Sequence, residues 1–452
     1  MRRNSIQQVL LQSIPSNTAL CVAFSGGRDS TALLHALAGL RQESQFNLRA
    51  MHVNHGLQAA AQDWEEHCAA LASRLDVPYS AVRVTVRTDG GHGLEAAARE
   101  ARYAALRAGL QPGEWLLTAH HADDQLETVL LHLFRGSGVS GLAGIPRATP
   151  FGPGRLFRPL LAVPAAALID YGADLLLPQG LVWLNDPMNA DCAYDRSFLR
   201  HDVTPVLRRR FPAAAGAAGR SAALAAEAAG LLDELARIDS QEIVAAHRLS
   251  LEPLRKFSPA RQRNLIRFQA RERGWALPPE RRLREGLTQL LEAAPGRQPV
   301  LRWSGHEIRR FRQHLHLLDT AALRVIPGDP ALKLGGSRPL VLGGPRGVLS
   351  LHQGSRAGGA AALASAVVAD GLQVVFRSGG ERVRAGTDRH HRTLKYLFQS
   401  RGIVPWMRCH LPLIFARGEL AAVADLWTAD WAASQPPERG FQILWSGHAP
   451  IQ

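Results

Sequence analysis

Residues 19–37, ALCVAFSGGRDSTALLHAL, pass from an unbroken apolar run through two adjacent glycines into apolar text with helical spacing. A strand that is apolar at every position has to be covered on both faces, so ALCVAF demands a sheet held between helices. Further strands are expected at LRAMHVNHG (48–56), YSAVRVTV (79–86) and EWLLTAH (114–120). Helices are expected at 30–40, 60–75, 93–109 and 123–136. This alternation implies right-handed crossovers and a parallel sheet, an α/β fold. Ligands of such sheets bind beyond the carboxyl ends of the strands, where SGGRDS, HVNHG and the pair His120-His121 all fall.

The loop Ser25-Gly26-Gly27-Arg28-Asp29-Ser30 has the parts of an anion site. Gly26 and Gly27 allow close backbone approach, Ser25 and Ser30 bring hydroxyls, and the helix that follows points its N-terminal N–H groups at the ligand. A Walker loop needs a lysine for the β- and γ-phosphates. The nearest lysine in this chain is Lys256, so transfer of a γ-phosphate is the wrong expectation.

Charge points to the partner. The chain carries 53 basic against 39 acidic residues, a net charge of +14, and only Lys256, Lys333 and Lys395 are lysines. A GC-rich genome accounts for the choice of arginine but not for the excess, which favours a polyanion, nucleic acid first. Cys21, Cys68, Cys192 and Cys409 are far apart in sequence, so neither a disulfide framework nor a zinc-type pair is expected, in keeping with a reducing cytoplasm. No secretory signal and no membrane span are expected.

Near residue 212 the text becomes Ala-rich and reads as a linker into a long helix, with helical text continuing to about 294. Within 255–284 stand ten basic residues (255, 256, 261, 263, 267, 271, 273, 281, 282 and 284) against Glu272 and Glu280. A solvated helix face is one reading; the overall charge excess favours RNA contact. Residues 322–370 are rich in Gly and Pro, and a compact α+β segment follows.

SGGxDS after the first strand resembles the PP-loop ATP pyrophosphatases, which bind ATP and leave AMP on the acceptor. MHVNHGL (51–57), GLEAAAREARY (93–103), TAHHADDQLETVLLHLFRGSGVSGLAGI (118–145), FRPLL (157–161) and WLNDPMNADCAYDRSFLRHDVTPVL (183–207) are similar to the bacterial tRNA(Ile)-lysidine synthetase family. LKYLFQSRGIVPWMRCHLPLIF (394–415) resembles that family's C-terminal domain. The resemblance implies three domains: a PP-loop catalytic domain over 1–212, a helical, basic tRNA-contacting domain over 213–321 and a C-terminal tRNA-binding domain over 322–452. It implies ATP and Mg2+ as cofactors, and free L-lysine and a tRNA(Ile) with a CAU anticodon as substrates. O2 of the wobble cytidine attacks the α-phosphate, and lysine then replaces AMP at C2. The oligomeric state stays open, a homodimer being one option.

The acids suit this chemistry, because an incoming ammonium must be held and then deprotonated. Asp124 and Glu127, three apart on a helix, share a face, while Leu126, Val129, Leu130 and Leu133 would bury the other. By resemblance, Asp29, Asp124 and Glu127 contact the lysine and Arg196 of DRSFLR serves the active site, in preference to Arg200. His120 is expected to contact ATP or the base. Zinc at HHxDD is disfavoured, since neither a cysteine nor HExxH accompanies it. His52 and His55 line the adenosine side or only shape a turn. Arg99 and Arg102 touch phosphate or form surface ion pairs. Gly136–Gly141 matches GxGxxG but follows a helix, so it is expected to be a flexible loop and not a dinucleotide fingerprint. Two positions depart from the family pattern: Asn185 stands where an acid is usual, and Ser197 where Asn is usual. The rival readings are a tRNA thiolase, an amidating ligase, and an inactive RNA-binding relative.

Overall fold

A computed structural model describes residues 5–56, 60–86, 94–185, 194–245, 248–294, 296–324, 331–335, 338–354, 360–384, 390–435 and 439–451. The chain divides into two compact units, Met1–Leu232 and Asp233–Gln452.

The first unit runs α1 (Ser5–Ser13), β1 (Ala19–Ala23), α2 (Arg28–Ser44), β2 (Asn47–Asn54), α3 (Ala61–Arg74), β3 (Tyr79–Arg83), α4 (Leu94–Ala108), β4 (Trp115–Leu117) and α5 (Ala122–Phe134). It continues with α6 (Val139–Leu142), β5 (Ala148–Phe151), β6 (Gly154–Phe157), α7 (Ala165–Tyr171), α8 (Asp195–Phe198), a π-helical turn (Leu199–Val203) and α9 (Thr204–Arg210). The sheet order is β3-β2-β1-β4-β6-β5. All pairings are parallel except β5 with β6, which forms an antiparallel edge. The chain winds outward from β1 to β3 and then returns to β4 on the other side of β1. That reversal opens a crevice at the carboxyl ends of β1 and β4, where a doubly wound sheet places its ligand.

The apolar run ALCVAF is explained by burial on both faces. Leu20, Val22 and Phe24 pack with Leu33, Leu34 and Leu37 of α2 and with α1 and α7. Cys21, between them, faces the opposite layer with Met51, Leu106 and Leu116. Full burial of one such side chain stabilises by about 1.5–3 kcal/mol, so the strand that carries the loop is anchored in both layers of the core.

A 30-residue helix, Ala214–Ile243, follows the Ala-rich text. In the second unit, helices Leu251–Lys256, Pro259–Glu272 and Glu280–Glu292 pack on a five-stranded antiparallel sheet that includes Val300–Trp303, His306–Phe311 and His314–Asp319. Leu265, Ile266, Leu283 and Leu287 meet Leu301, Trp303, Ile308 and Leu315 in its core. The helices match the sequence reading; the sheet was not anticipated. The C-terminal part is β-rich, with a five-stranded and a three-stranded antiparallel sheet around helix Leu394–Arg401. Much of the basic cluster at 255–284 is paired: Arg261 with Asp239, Arg263 and Arg267 with Glu280, Arg271 with Asp233, and Arg281 with Glu285.

Candidate active site

The phosphate loop leaves β1 through Phe24, which is buried, and exposes Ser25. Gly26 takes φ +78°, and a Cβ there would stand 2.7 Å from Cys68 Sγ and 2.8 Å from Leu184 Cδ1. Only glycine fits. The loop is strapped from outside: Leu184 N–H donates to the Gly26 carbonyl at 2.9 Å, and Gly27 forms a parallel bridge with Leu184. Gly27 is the N-cap of α2 in an extended conformation, with no side-chain cap. The hydroxyls of Ser30 and Thr31 donate to Gly27 O at 2.9 and 3.0 Å, and Ser25 Oγ is 3.1 Å from Ser30 Oγ. The first turn of α2 therefore points uncapped N–H groups and a positive dipole end past a locked loop, the arrangement that binds an anion.

Across the crevice, α5 begins on His121. Its Nδ1 accepts from the N–H groups of Asp123 and Asp124 at 3.3 and 3.4 Å, and Asp124 Oδ2 accepts from His121 N–H at 2.9 Å. This is a capping box with a histidine as the cap. His121 Nε2 is 3.6 Å from both Asp29 Oδ2 and Asp124 Oδ2, so one imidazole joins the phosphate loop to the acidic helix. Burial disfavours the imidazolium, yet the bond to Asp29 and the charges of Asp124, Asp29 and Asp123 hold the His121 pKa above the usual histidine value. Burial also raises Asp29 and Asp124, but His121 with Arg28 keeps Asp29 below the ordinary carboxylate range, and His121, Arg196 and His120 do the same for Asp124.

Asp123, Asp124 and Glu127 are 3%, 8% and 1% exposed, and buried carboxylates need partners. The segment 195–210 supplies them. Arg196 Nε is 2.9 Å from Glu127 Oε2, and its Nη2 is 3.2 Å from Asp124 Oδ1. Arg200 Nε is 2.8 Å from Glu127 Oε1, and its Nη2 is 2.9 Å from both Asp124 Oδ1 and Glu127 Oε2. Arg208 pairs with Asp123, whose other oxygen accepts from Ala165 N–H at 2.7 Å at the start of α7. Three arginines of one segment thus meet three acids of α5. Spacing of i, i+4 puts Arg196 and Arg200 on one face, and the π-helical turn starts between them at Leu199.

His120 is half-buried, with Nδ1 2.8 Å from Thr118 Oγ1. Burial, together with Arg158, Arg196 and Arg99, pushes its pKa down to about 3, against the pull of Asp124. It is a neutral imidazole among cations, suited to a polar contact with a nucleotide. His52 is buried, and its Nδ1 is 2.9 Å from Phe24 O, directly behind the loop. His55 is half-buried near Arg102, with its Nδ1 lacking a hydrogen-bond partner. Burial lowers the pKa of both histidines. Arg99 and Arg102 stand over the Tyr103 ring.

Two expectations need correction. The apolar stripe of α5 is not sunk in the core: Leu126 is buried, Val129 and Leu130 are half-buried, and Leu133 is 54% exposed. The acids face inward together with Leu126, because the arginines neutralise them there. The glycine-rich stretch after α5 is not a plain loop, since Val139–Leu142 is a helical turn that starts at Gly138. Asn185 and Ser197 fall among the described residues, whereas Asp186, Pro187 and Cys192 lie outside them.

The sequence reading preferred His120 to His121 and Arg196 to Arg200, and it passed over Asp123 and Arg208. The signals were present: a histidine two residues before Asp-Asp in a cap position, and arginines at i and i+4 opposite acids at i and i+3. Chemically, the crevice joins an anion-binding helix start to buried acids that can hold an ammonium.

Three family models match the chain: a PP-loop domain over residues 2–207, the TilS substrate binding domain over 249–316 and the TilS substrate C-terminal domain over 372–445. A tRNA(Ile)-lysidine synthase of Alkalilimnicola ehrlichii is 45% identical over 95% of this chain and 94% of its own length. Those of Coxiella burnetii and Methylococcus capsulatus are each 38% identical, over 96% and 94% of this chain and 94% and 95% of their own lengths. With relatives this similar over nearly the whole length, and with the PP-loop and acid helix in place, the chain belongs to the tRNA(Ile)-lysidine synthase family.

Proposed function

We infer that this chain ligates free L-lysine to C2 of the wobble cytidine in a tRNA(Ile) with a CAU anticodon, which changes the codon read from that of Met to that of Ile. The observation that carries the reading is the meeting of the uncapped α2 start and the half-buried Asp29 with the buried acids Asp124 and Glu127 at the carboxyl ends of β1 and β4. In the first step cytidine O2 bonds to the α-phosphorus of ATP and pyrophosphate leaves. In the second, lysine Nζ bonds to C2, AMP leaves with O2, and the proton lost from nitrogen passes to a carboxylate. Adenylation is needed because the O2 of cytidine is a poor leaving group.

Ser25, Gly26, Gly27, Arg28 and Ser30 cradle the phosphates, with Arg28 contributing its backbone. Asp29, Asp124 and Glu127 hold and deprotonate the lysine. Arg196 serves the phosphate charge that builds up in each step. His120 contacts the nucleotide, and His52 and His55 form the wall towards the adenosine. Asp29 of the phosphate loop is the residue that would hold a Mg2+ brought in with ATP, which would supply neutralisation of the charge on the leaving pyrophosphate. Residues 1–212 act as the catalytic domain, while 213–321 and 322–452 contact the tRNA. The two family-model matches beyond residue 212 support that division.

A thiolase reading has a specific observation against it: the thiols of Cys21 and Cys68 are buried and pushed up to about 12, so neither is a nucleophile at neutral pH. The test is incorporation of labelled lysine into CAU-anticodon tRNA(Ile) with ATP and Mg2+, followed by mass analysis of the nucleoside. Lysidine is expected. Incorporation of labelled sulfur or ammonia in its place refutes the assignment.

A further inference from the structure

We propose that Arg200 is an internal plug of the lysine subsite, a specificity-determining residue that the substrate ammonium must displace. This rests on the reading of Asp124 and Glu127 as the acids that take the lysine.

The geometry leaves those acids satisfied before any substrate arrives. Glu127 has one oxygen on Arg200 Nε and the other on both Arg196 Nε and Arg200 Nη2. Asp124 gives Oδ2 to the N-terminus of α5 and Oδ1 to both arginines. Two carboxylates and two guanidinium groups sum to zero charge, so a lysine cation gains no net attraction by approaching them as they stand. An ammonium can bind there only by taking the place of a guanidinium.

Of the two, Arg200 is the one built to be displaced. Glu127 Oε1 is bonded by Arg200 Nε and not by Arg196, whereas both acceptors of Arg196 are shared with Arg200, so the departure of Arg200 frees an oxygen that the departure of Arg196 does not. Its side chain is 38% exposed against 30% for Arg196, with Glu127 at 2%, so Arg200 is the more open of the two to solvent. It stands in a π-helical turn between two short α segments, a backbone that holds its ladder less tightly than an α-helix. The neighbouring links, Arg135 with Asp195 and Arg208 with Asp123, fix the two ends of the segment without using Arg200. The plug has a consequence for selectivity. A guanidinium that spans both acids is displaced only by an ammonium that reaches both, so an amine one methylene shorter than lysine is rejected.

The experiment is the lysine KM of incorporation for the full chain and for Arg200→Gln. A competitor that fills the subsite lowers apparent affinity by the fraction of open sites. Removing it is expected to lower KM by about tenfold and to let ornithine compete, whatever happens to kcat. An unchanged or raised KM overturns the proposal, since a residue that merely supports the acids would weaken lysine binding when lost. The wild-type chain gives a test that does not depend on the folding of a variant. Phenylglyoxal labelling of Arg200, mapped by mass spectrometry with ATP present, is expected to rise when lysine is added. Protection or no change overturns the plug. If wild-type protein incorporates no lysine at all, the functional reading has failed, and that outcome is separate from either result.

Discussion

Gly26→Ala tests whether the phosphate loop is locked by packing from behind. Two costs can be worked from the structure. Alanine at φ +78° bears the left-handed penalty of about 1–2 kcal/mol. Its Cβ would also meet Cys68 Sγ at 2.7 Å and Leu184 Cδ1 at 2.8 Å, closer than side chains pack, and overpacking of this kind costs about 1–3 kcal/mol. The sum is about 3 kcal/mol. For a unit of this size it lowers the melting temperature by something on the order of 10 °C. Relief by moving Leu184 breaks its N–H bond to Gly26 O and the bridge to Gly27, so ATP affinity should fall as well. The assay is thermal melting with and without ATP, run also on Cys68→Ala and on the double variant. Deleting the sulfur removes the nearer contact, so the double variant should recover about 1 kcal/mol beyond additivity. A Gly26→Ala protein that melts within about 1 °C of wild type, or strict additivity in the cycle, would refute the argument.

Asp29→Ala should abolish lysine incorporation while leaving tRNA retention on filters nearly unchanged; turnover in that variant removes Asp29 from the mechanism. Arg49→Ala leaves Glu114, 2% exposed and bound by Arg49 Nε at 2.7 Å, with backbone help only from Gln111 N–H. An uncompensated buried carboxylate costs about 3–5 kcal/mol, read as a shift in the urea midpoint of the first unit, whereas Arg49→Met with Glu114→Gln should recover much of it. The pH dependence follows from the histidines and acids. His120 is held near 3 when folded but titrates near 6.5 when unfolded, so its contribution is present above about pH 6.5 and fades on acidification towards 3. Asp29 and Asp124 have lowered pKa values, so theirs is present above about pH 4 and lost below it. His121 has the opposite sign in its pairing with Asp29 and Asp124, a contribution complete below about pH 6.5 and lost as pH rises through its raised value, whereas its Nδ1 cap on α5 needs the neutral ring. Melting between pH 7 and 5 should therefore fall less steeply in His120→Gln than in wild type, and an identical slope contradicts the buried neutral imidazole.

The parallel sheet and the phosphate loop were legible in the sequence because their signals are local. An apolar run followed by SGG and helical text commits about twenty residues to one geometry, and successive strand–helix pairs fix the layer order. The antiparallel sheet of the second unit was legible in principle and missed. Val300–Trp303, His306–Phe311 and His314–Asp319 are hairpin strands joined at Ser304-Gly305 and Arg312-Gln313, and Ser304, Gly305 and Arg312 all take positive φ. Their arginines and histidines hid the alternation. The candidate site was half legible. Asp124 and Glu127 could be paired by helical spacing, but which way their helix turned could not.

The sequence by itself determined a doubly wound sheet, a phosphate loop without a Walker lysine, and a basic protein with acids poised beside that loop. Tertiary structure alone decided who neutralises those acids. Arg196, Arg200 and Arg208 are some seventy to eighty-five residues from their partners along the chain, and chain order carries no sign of such a meeting. Only folding brings the charges within 4 Å of each other, where the buried carboxylates cannot do without them.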